Sequence, residues 1–289
     1  MHECRQCPRN CGADREKTVG FCHSPALFSV ARVGLHPWEE PVLAGSRGAG
    51  TVFFAGCNLR CVYCQNRAIS RGGTGRVMSR DELAAAILGL QADGAACIDL
   101  VTPTHYTEQL VPVLRNVRPK LHIPVVWNCG GYESVDALRA LDGLVDVYLP
   151  DCKYFDPVLA RTLSDAPDYF PIFCAALAEM LRQTGNPTYA SDGSLARGVI
   201  VRHLVLPGHR DDSVSILRAL AERFGTSSFL LSLMNQYTPD FALDAPDPAL
   251  RRRLTTFEYD SVLSVARELG FEGFSQSRSA ATARYTPKF

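Results

Sequence analysis

The stretch Gly50-Thr-Val-Phe-Phe-Ala-Gly-Cys-Asn-Leu-Arg-Cys-Val-Tyr-Cys-Gln-Asn66 decides how this chain folds. Residues 51–55 form a short apolar run, which predicts a buried strand. Cys57, Cys61 and Cys64 follow directly, with the spacing C-x3-C-x2-C. Barrel enzymes place their chemistry in loops at the carboxyl ends of the strands. The stretch therefore predicts a strand that carries a reactive cysteine loop.

Apolar runs alternate with helical patterns through the rest of the chain. One helical pattern begins with the capping box Ser79-Arg-Asp-Glu82. This alternation is typical of right-handed βαβ units and a parallel sheet. Six predicted strands are fewer than the eight of a closed barrel. The sequence therefore predicts an α/β fold, a partial (β/α)6 TIM-like barrel. The runs rich in Val, Ile, Leu and Phe after the first are 97–102, 124–128, 145–150, 198–206 and 228–234.

The composition bears on which partners the protein can have. Thirty basic residues balance thirty acidic ones, so no overall field attracts nucleic acid or an anionic membrane. No apolar run reaches the length of a membrane span, and the first residues do not resemble a signal peptide. We expect a cytoplasmic protein that binds neither nucleic acid nor a membrane.

Seven of the eleven cysteines fall into two groups. One group belongs to residues 1–45, which we expect to form a small cysteine-rich metal-binding segment before the barrel at 46–289. Four soft ligands satisfy tetrahedral zinc and could equally hold a second iron–sulfur cluster. Zinc would be a structural staple, whereas a second cluster could relay electrons. The four are Cys4, Cys7, Cys11 and Cys22.

The three cysteines after the first strand have a different ligand count. Three thiolates can hold three irons of a cubic 4Fe–4S cluster and leave the fourth iron open. Cluster ligation normally takes four cysteines, so the missing ligand indicates catalysis rather than electron storage. Spacing alone also admits a zinc site completed elsewhere, or three unrelated buried thiols.

The cysteine motif resembles that of the radical S-adenosylmethionine superfamily. Further stretches resemble the pyruvate formate-lyase activating enzymes, and within that group a PflX-like branch. The resemblance implies an oxidoreductase whose 4Fe–4S cluster, held by Cys57, Cys61 and Cys64, reductively cleaves S-adenosyl-L-methionine to a 5′-deoxyadenosyl radical. The radical then abstracts a hydrogen atom. The further stretches are His36-Pro-Trp-Glu-Glu-Pro41, Leu100-Val-Thr-Pro-Thr-His105, Leu149-Pro-Asp-Cys-Lys153, Arg202-His-Leu-Val-Leu-Pro-Gly208 and Leu233-Met-Asn-Gln-Tyr237.

Three functions are compatible with these motifs. The resemblance implies an activase that abstracts hydrogen from a backbone glycine of a partner enzyme. A radical enzyme that modifies a small molecule or a peptide is the alternative. A third hypothesis, from another class, is a non-catalytic metal-binding interaction protein. Either enzyme would need a low-potential electron donor such as flavodoxin or ferredoxin.

The resemblance also implies where the cofactor binds. Activating enzymes end their second strand in a Gly-Gly-Glu turn that holds the amino group of the cofactor. The matching turn here supplies Thr102, Thr104 and His105 instead, and this difference favours a different substrate. Asn128 matches an aspartate near the cofactor, and Gln236 matches a ribose-binding histidine.

Three charged residues complete the predicted site. Asp151 and Lys153 alternate along an extended chain, so both face one side and can complement a zwitterionic methionine. Arg202 lies among apolar residues, so its charge must enter a polar cavity or be paired, and its planar fork suits a carboxylate. The resemblance implies cofactor binding and catalysis for all three. Otherwise the first two form a surface salt bridge of little energy, and Arg202 a structural ion pair.

Overall fold

The computed structural model describes residues 3–72 and 74–277, so the end of the predicted 46–289 barrel domain with its C-terminal extension, residues 278–289, lies outside the described residues. Its strands belong to one sheet in the order β10-β9-β8-β6-β5-β4-β2-β1-β3, and β7 pairs with β8. The strands are β1 Phe28–His36, β2 Ala49–Phe54, β3 Arg76–Met78, β4 Ile98–Val101, β5 Val125–Cys129, β6 Val147–Pro150, β7 Thr188–Tyr189, β8 Leu195–Leu204, β9 Leu230–Met234 and β10 Gly273–Ser275.

The strands from β10 to β2 are all parallel to their neighbours, and every one of the six predicted strands is among them. The predicted α/β fold with an open, barrel-like parallel sheet is therefore confirmed. The structure adds β10 to the parallel set, and β1, β3 and β7 as antiparallel strands. Part of the 1–45 segment, β1, joins the sheet, and residues 3–27 contain neither helix nor strand.

Helices follow most of the parallel strands. In α3, Ser79 and Glu82 form the predicted capping box, each side chain accepting from the other residue's backbone N–H. The α-helices are α1 Pro41–Ala44, α2 Arg67–Ser70, α3 Arg80–Ala92, α4 Thr107–Val117, α5 Val135–Arg139, α6 Pro157–Ser164, α7 Tyr169–Thr184, α8 Arg210–Phe224 and α9 Thr256–Glu268. Within the described ranges, no helix has the length and apolar character needed to cross a membrane.

The two faces of the parallel sheet have different roles. Successive residues of a strand point to opposite faces, and β2 shows the division. Val52 belongs to the main core together with Leu83 of α3, whereas Phe53 lines an internal cavity. Below that cavity, a small apolar cluster that includes Leu43, Val126 and Ile200 fills the interior. The outward face therefore stabilises the fold, and the inward face is left to form a site.

Two arginines of the N-terminal segment fasten it to the barrel. The Arg9 guanidinium donates to the carbonyls of Asn58, at 2.7 Å, and Ser164, at 2.7 Å. Arg15 donates to the carbonyl of Ser24 at 3.1 Å and to that of His105. A segment without its own core is thus held against the loops at the carboxyl end of the sheet.

Candidate functional site

The carboxyl ends of the parallel strands border a cavity of about 240 Å³. It brings together sequence-predicted residues from the ends of six strands. Its wall also contains residues that the sequence analysis did not select, among them Trp38, Glu39 and Glu40. The predicted residues in the wall are Cys57, Cys61, Cys64, Thr102, Asn128, Asp151, Lys153, Arg202 and Gln236.

The cluster loop, residues 56–66, turns directly after β2. Gly56 has a φ of +87°, which lets the chain reverse where a side chain would be strained. The backbone N–H of Leu59 donates to the sulfur of Cys57 at 3.4 Å, and the Ser164 hydroxyl donates to the sulfur of Cys61 at 2.9 Å. Such hydrogen bonds to sulfur are a feature of iron–sulfur sites.

The three sulfurs of the cluster loop lie close to one another. Cys61 and Cys64 both raise the pKa of Cys57, which burial and these neighbours bring to about 12. Three neighbouring sulfurs can each bind a different iron of one cluster. A metal must displace the protons of such thiols when it binds.

Opposite the cluster loop lies the polar network, which we define as Asn128, Asp151, Lys153 and Arg202. Lys153 Nζ donates to Asp151 Oδ2 at 2.6 Å, and Arg202 Nε donates to Asp151 Oδ1 at 2.9 Å. Arg202 Nη2 donates to Asn128 Oδ1 at 2.6 Å. The side chains of the three charged residues are less than a fifth exposed. This is a largely buried ion triad rather than a surface salt bridge.

Charge balance keeps the triad ionised. Burial by itself would raise the pKa of Asp151, but Arg202 and Lys153 lower it below its ordinary value. Burial opposes the charge of Lys153, and Asp151 more than compensates and raises its pKa. Two cations therefore line the wall, held in fixed directions by one carboxylate.

Two carboxyl groups that were not predicted as site residues lie next to the polar network. Asn128 Nδ2 donates to Glu39 Oε2 at 3.2 Å and to Asp99 Oδ2 at 3.3 Å. Arg202 Nη1 lies 3.5 Å from Glu39 Oε1. Asp99 is fully buried, and burial together with Glu39 raises its pKa far above the ordinary value. One sequence signal could have found Asp99, because an acid inside an apolar strand needs a partner.

The loop before α1 reaches across the interior of the barrel. Glu40 Oε1 accepts from the Ser232 hydroxyl of β9 at 2.8 Å. Burial, and then the neighbouring Glu39, raise the pKa of Glu40 to about 7. With Glu39 against Arg202 of β8, this loop contacts two neighbouring strands of the parallel sheet.

The three residues predicted in the turn after β4 do not all line the cavity. Thr102 lines the cavity and has a φ of +58°, a left-handed conformation that is rare for a β-branched residue. Thr104 instead donates to Glu133 Oε1 at 2.6 Å, and His105 Nε2 donates to the Ala55 carbonyl at 2.9 Å. Both are buried outside the cavity wall. Their contacts hold the turn and the start of the cluster loop.

Two observations bear on the predicted roles of His105 and Gln236. Burial, and then Arg15, lower the pKa of His105 to about 3, so its imidazole is neutral at physiological pH. Gln236, which follows β9, lies at the cavity edge, where its Oε1 accepts from Gln276 Nε2 at 3.2 Å.

The loop that carries the N-terminal cysteines lies next to the cluster loop. Cys7 and Cys22 are buried, Cys4 is half-buried and Cys11 is exposed. The Ser24 hydroxyl, two residues after Cys22, donates to the Ala55 carbonyl at 3.1 Å. The two groups of cysteines are thus joined by direct contacts between their loops.

Solved structures show where this fold occurs. Streptococcus suis SuiB bound to its precursor peptide SuiA matches with a TM-score of 0.51 at 11% identity, over 76% of this chain and 46% of that one. SuiB bound to S-adenosylmethionine matches with a TM-score of 0.51 at 10% identity, over 81% of this chain and 51% of that one. The chain spans about half the length of SuiB, and this likeness concerns the fold alone.

Sequence comparison goes further than the fold. The uncharacterized protein MJ0674 of Methanocaldococcus jannaschii is 30% identical over an alignment of 278 residues that covers 93% of this chain and 75% of that protein. Residues 51–220 match the family model of the radical SAM superfamily. That range begins at the strand before the cluster loop and includes the whole polar network. The family implies a 4Fe–4S cluster and S-adenosylmethionine as cofactors, and this chain belongs to the radical SAM superfamily.

Proposed function

We propose that this enzyme reductively cleaves S-adenosylmethionine at a 4Fe–4S cluster held by Cys57, Cys61 and Cys64, and abstracts a hydrogen atom from a substrate. One observation carries the proposal. Three sulfurs, two of them hydrogen-bonded, share a cavity with a fixed pair of cations and their carboxylate. The cluster supplies one electron to the sulfonium when both groups are bound, and the chain supplies position and charge.

The polar network is suited to the amino-acid end of the cofactor. The guanidinium of Arg202 and the ammonium of Lys153 would attract its carboxylate, and Asp151 would accept from its ammonium group. These side chains are already fixed by hydrogen bonds of 2.6–2.9 Å, so they need little reorganisation when the cofactor binds. Tyr63, buried against the ring of Tyr154, covers the cluster loop and limits the access of water.

The first candidate for the hydrogen donor is a backbone glycine of a partner enzyme. The stretches that resemble the pyruvate formate-lyase activating enzymes, and the PflX-like branch among them, support this activase function. The electron would come from a low-potential donor such as flavodoxin or ferredoxin.

A second candidate is a small molecule or peptide that carries a positive charge. Four carboxyl groups, those of Glu39, Glu40, Asp99 and Asp151, surround Arg202, and the raised pKa values of Glu40 and Asp99 favour their protonated forms. A cationic substrate would favour the charged forms of these two carboxyl groups. SuiB, which has the same fold, binds a precursor peptide, and this fits a peptide substrate.

Anaerobic reconstitution with iron and sulfide tests the common chemistry. The reduced chain should convert S-adenosylmethionine to 5′-deoxyadenosine, and Cys61→Ala should abolish the product. Cys174→Ala, at a buried cysteine of α7 remote from the cluster loop, is the matched control and should keep it. Equal product from Cys61→Ala, or none from a fully loaded wild-type chain, would contradict the proposal.

Deuterium transfer separates the two candidates. Label in 5′-deoxyadenosine from a partner enzyme with deuterated glycine would support the activase. Label from a deuterated amine or a lysine-containing peptide would support the second candidate instead.

A further inference from the structure

The backbone of the N-terminal segment draws its cysteines together. Cys4 N–H donates to the Ala13 carbonyl at 3.1 Å, and Gly12 N–H donates to the Cys4 carbonyl at 3.2 Å. A tighter turn lies between them, in which Asn10 N–H donates to the Cys7 carbonyl at 3.1 Å. Three of the four cysteines thus lie on one small loop.

A glycine brings the fourth cysteine to this loop. A Cβ atom on Gly20 would lie 2.6 Å from the sulfur of Cys11, so that sulfur rests directly on the glycine. Cys22 follows two residues later and lies within electrostatic range of both Cys4 and Cys7. The four sulfurs therefore form one group, which we call the N-terminal quartet.

Four grouped sulfurs can hold either one zinc ion or an iron–sulfur cluster. Tetrahedral zinc binds sulfur at about 2.3 Å, which places its ligand sulfurs within about 4 Å of one another. In a cluster, each cysteine binds its own iron or shares it with one other, so four thiolates complete the ligation.

The sequence spacing of the quartet bears on whether it holds zinc or an iron–sulfur cluster. Structural zinc sites usually take their ligands as two close pairs. Here three cysteines are close in sequence and the fourth is distant, as in ferredoxin motifs of the form C-x4-C-x2-C…C. This sequence order therefore favours an iron–sulfur cluster over zinc.

The N-terminal quartet and the cluster loop are in contact, and one arginine lies near both. A Cβ atom on Gly56 would lie 2.4 Å from the carbonyl oxygen of Cys22, so the two loops touch. Arg60 of the cluster loop donates to the Phe21 carbonyl at 3.3 Å. Cys57 and Cys22 both act electrostatically on its guanidinium. One cation is thus within range of both groups of sulfurs.

We propose that the N-terminal quartet holds an iron–sulfur cluster that passes single electrons to the catalytic cluster. The relay rests on the proposed function. A one-electron donor of the flavodoxin or ferredoxin class is oxidised, the quartet cluster is reduced, and it is reoxidised as the catalytic cluster gains the electron. No covalent bond forms or breaks in this transfer. Cys11, the exposed member of the quartet, gives the electron donor access to the cluster.

Metal analysis tests the site without any need for enzymatic activity. The variant Cys57→Ala, Cys61→Ala, Cys64→Ala lacks the catalytic cluster and should still bind about two or four iron atoms with matching sulfide. Its dithionite-reduced form should give the electron paramagnetic resonance signal of one cluster. One zinc and no iron in this variant, or no metal at all, would overturn the proposal. Iron analysis of the wild-type chain guards against misfolding of the variant, because about four iron atoms in total would also overturn it.

Reduction potentials test whether the two clusters are neighbours. Arg60→Gln removes a cation that stabilises both reduced states, so both midpoint potentials should become more negative. Arg80→Gln, at an exposed position of α3, is the matched control and should move neither. A shift confined to the catalytic cluster in Arg60→Gln would contradict a relay through this contact.

Electron delivery tests the relay itself. Cys11→Ser should cleave S-adenosylmethionine normally with dithionite, but at least tenfold more slowly with reduced flavodoxin. Equal ratios of the two rates in variant and wild type would overturn the relay. If the wild-type chain fails to cleave S-adenosylmethionine at all, the proposed function fails, and the metal content still decides whether the quartet holds a cluster.

Discussion

Glu133 makes the stability of this protein depend on pH in a direction opposite to the usual one. The side chain is buried after β5, where its Oε1 accepts from the Thr104 hydroxyl at 2.6 Å. Burial raises its pKa from 4.5 to about 7. Between these values the folded chain keeps a proton that the unfolded chain has released, so the free energy of unfolding falls as pH rises.

The size of the effect follows from the shift. A rise of about 2.5 pKa units, at 1.36 kcal/mol per unit, corresponds to roughly 3 kcal/mol. This loss in the free energy of unfolding is absent at pH 4 and fully present at pH 8. Glu133→Gln keeps an oxygen acceptor for Thr104 and removes the titration. The variant should therefore be about 3 kcal/mol more stable than wild type at pH 8, relative to their difference at pH 4.

Urea unfolding followed by circular dichroism measures this difference, with both chains anaerobic and in the same metal state. Glu40, whose pKa is also raised to about 7, titrates in both chains and cancels in the comparison. Glu268→Gln, at the exposed end of α9, is the control and should follow the wild-type curve. Parallel stability curves for Glu133→Gln and wild type would refute the reasoning.

Three substitutions near the cluster loop give further tests. Ser164→Ala removes the hydrogen bond to the Cys61 sulfur, worth about 1 kcal/mol, and should lower the midpoint potential of the catalytic cluster by about 40 mV in a redox titration; an unchanged potential contradicts it. Arg202→Lys cannot reproduce the planar contact with Asp151, so S-adenosylmethionine should bind at least ~10-fold more weakly by calorimetry. Gly56→Ala forces a Cβ against a backbone carbonyl at a φ of +87°, at a cost of about 1–3 kcal/mol, and iron per chain should fall; full loading contradicts the predicted strain.

Local patterns explain what could be predicted. The six parallel strands are continuous apolar runs because both of their faces are buried, and the structure contains all six. The capping box at Ser79 could be predicted because both of its partners lie within one helical turn. The short strands β3 and β7 have three and two residues, too few to show a period. β1 is only partly buried along its length, so its sequence shows no continuous apolar run.

The directions of the side chains in the turn after β4 could not be predicted from the sequence. Thr102, Thr104 and His105 are adjacent in sequence, and a strand-end turn could direct any of them toward the cofactor. A 3-10 helix begins at Thr104 and turns it and His105 toward Glu133 and Ala55. Those partners belong to other segments, so no pattern within the turn indicates the division.

The sequence by itself determined the strand, the loop and the spacing of the three thiols, because all of these lie within seventeen consecutive residues and depend on local geometry. The tertiary structure alone decided which charges meet. Glu39 reaches Arg202 across 163 residues, and Asn128 joins the Glu39 carboxylate to Asp99. Such pairs form because burial penalises an unpaired charge, and which partner is available depends on how the barrel closes.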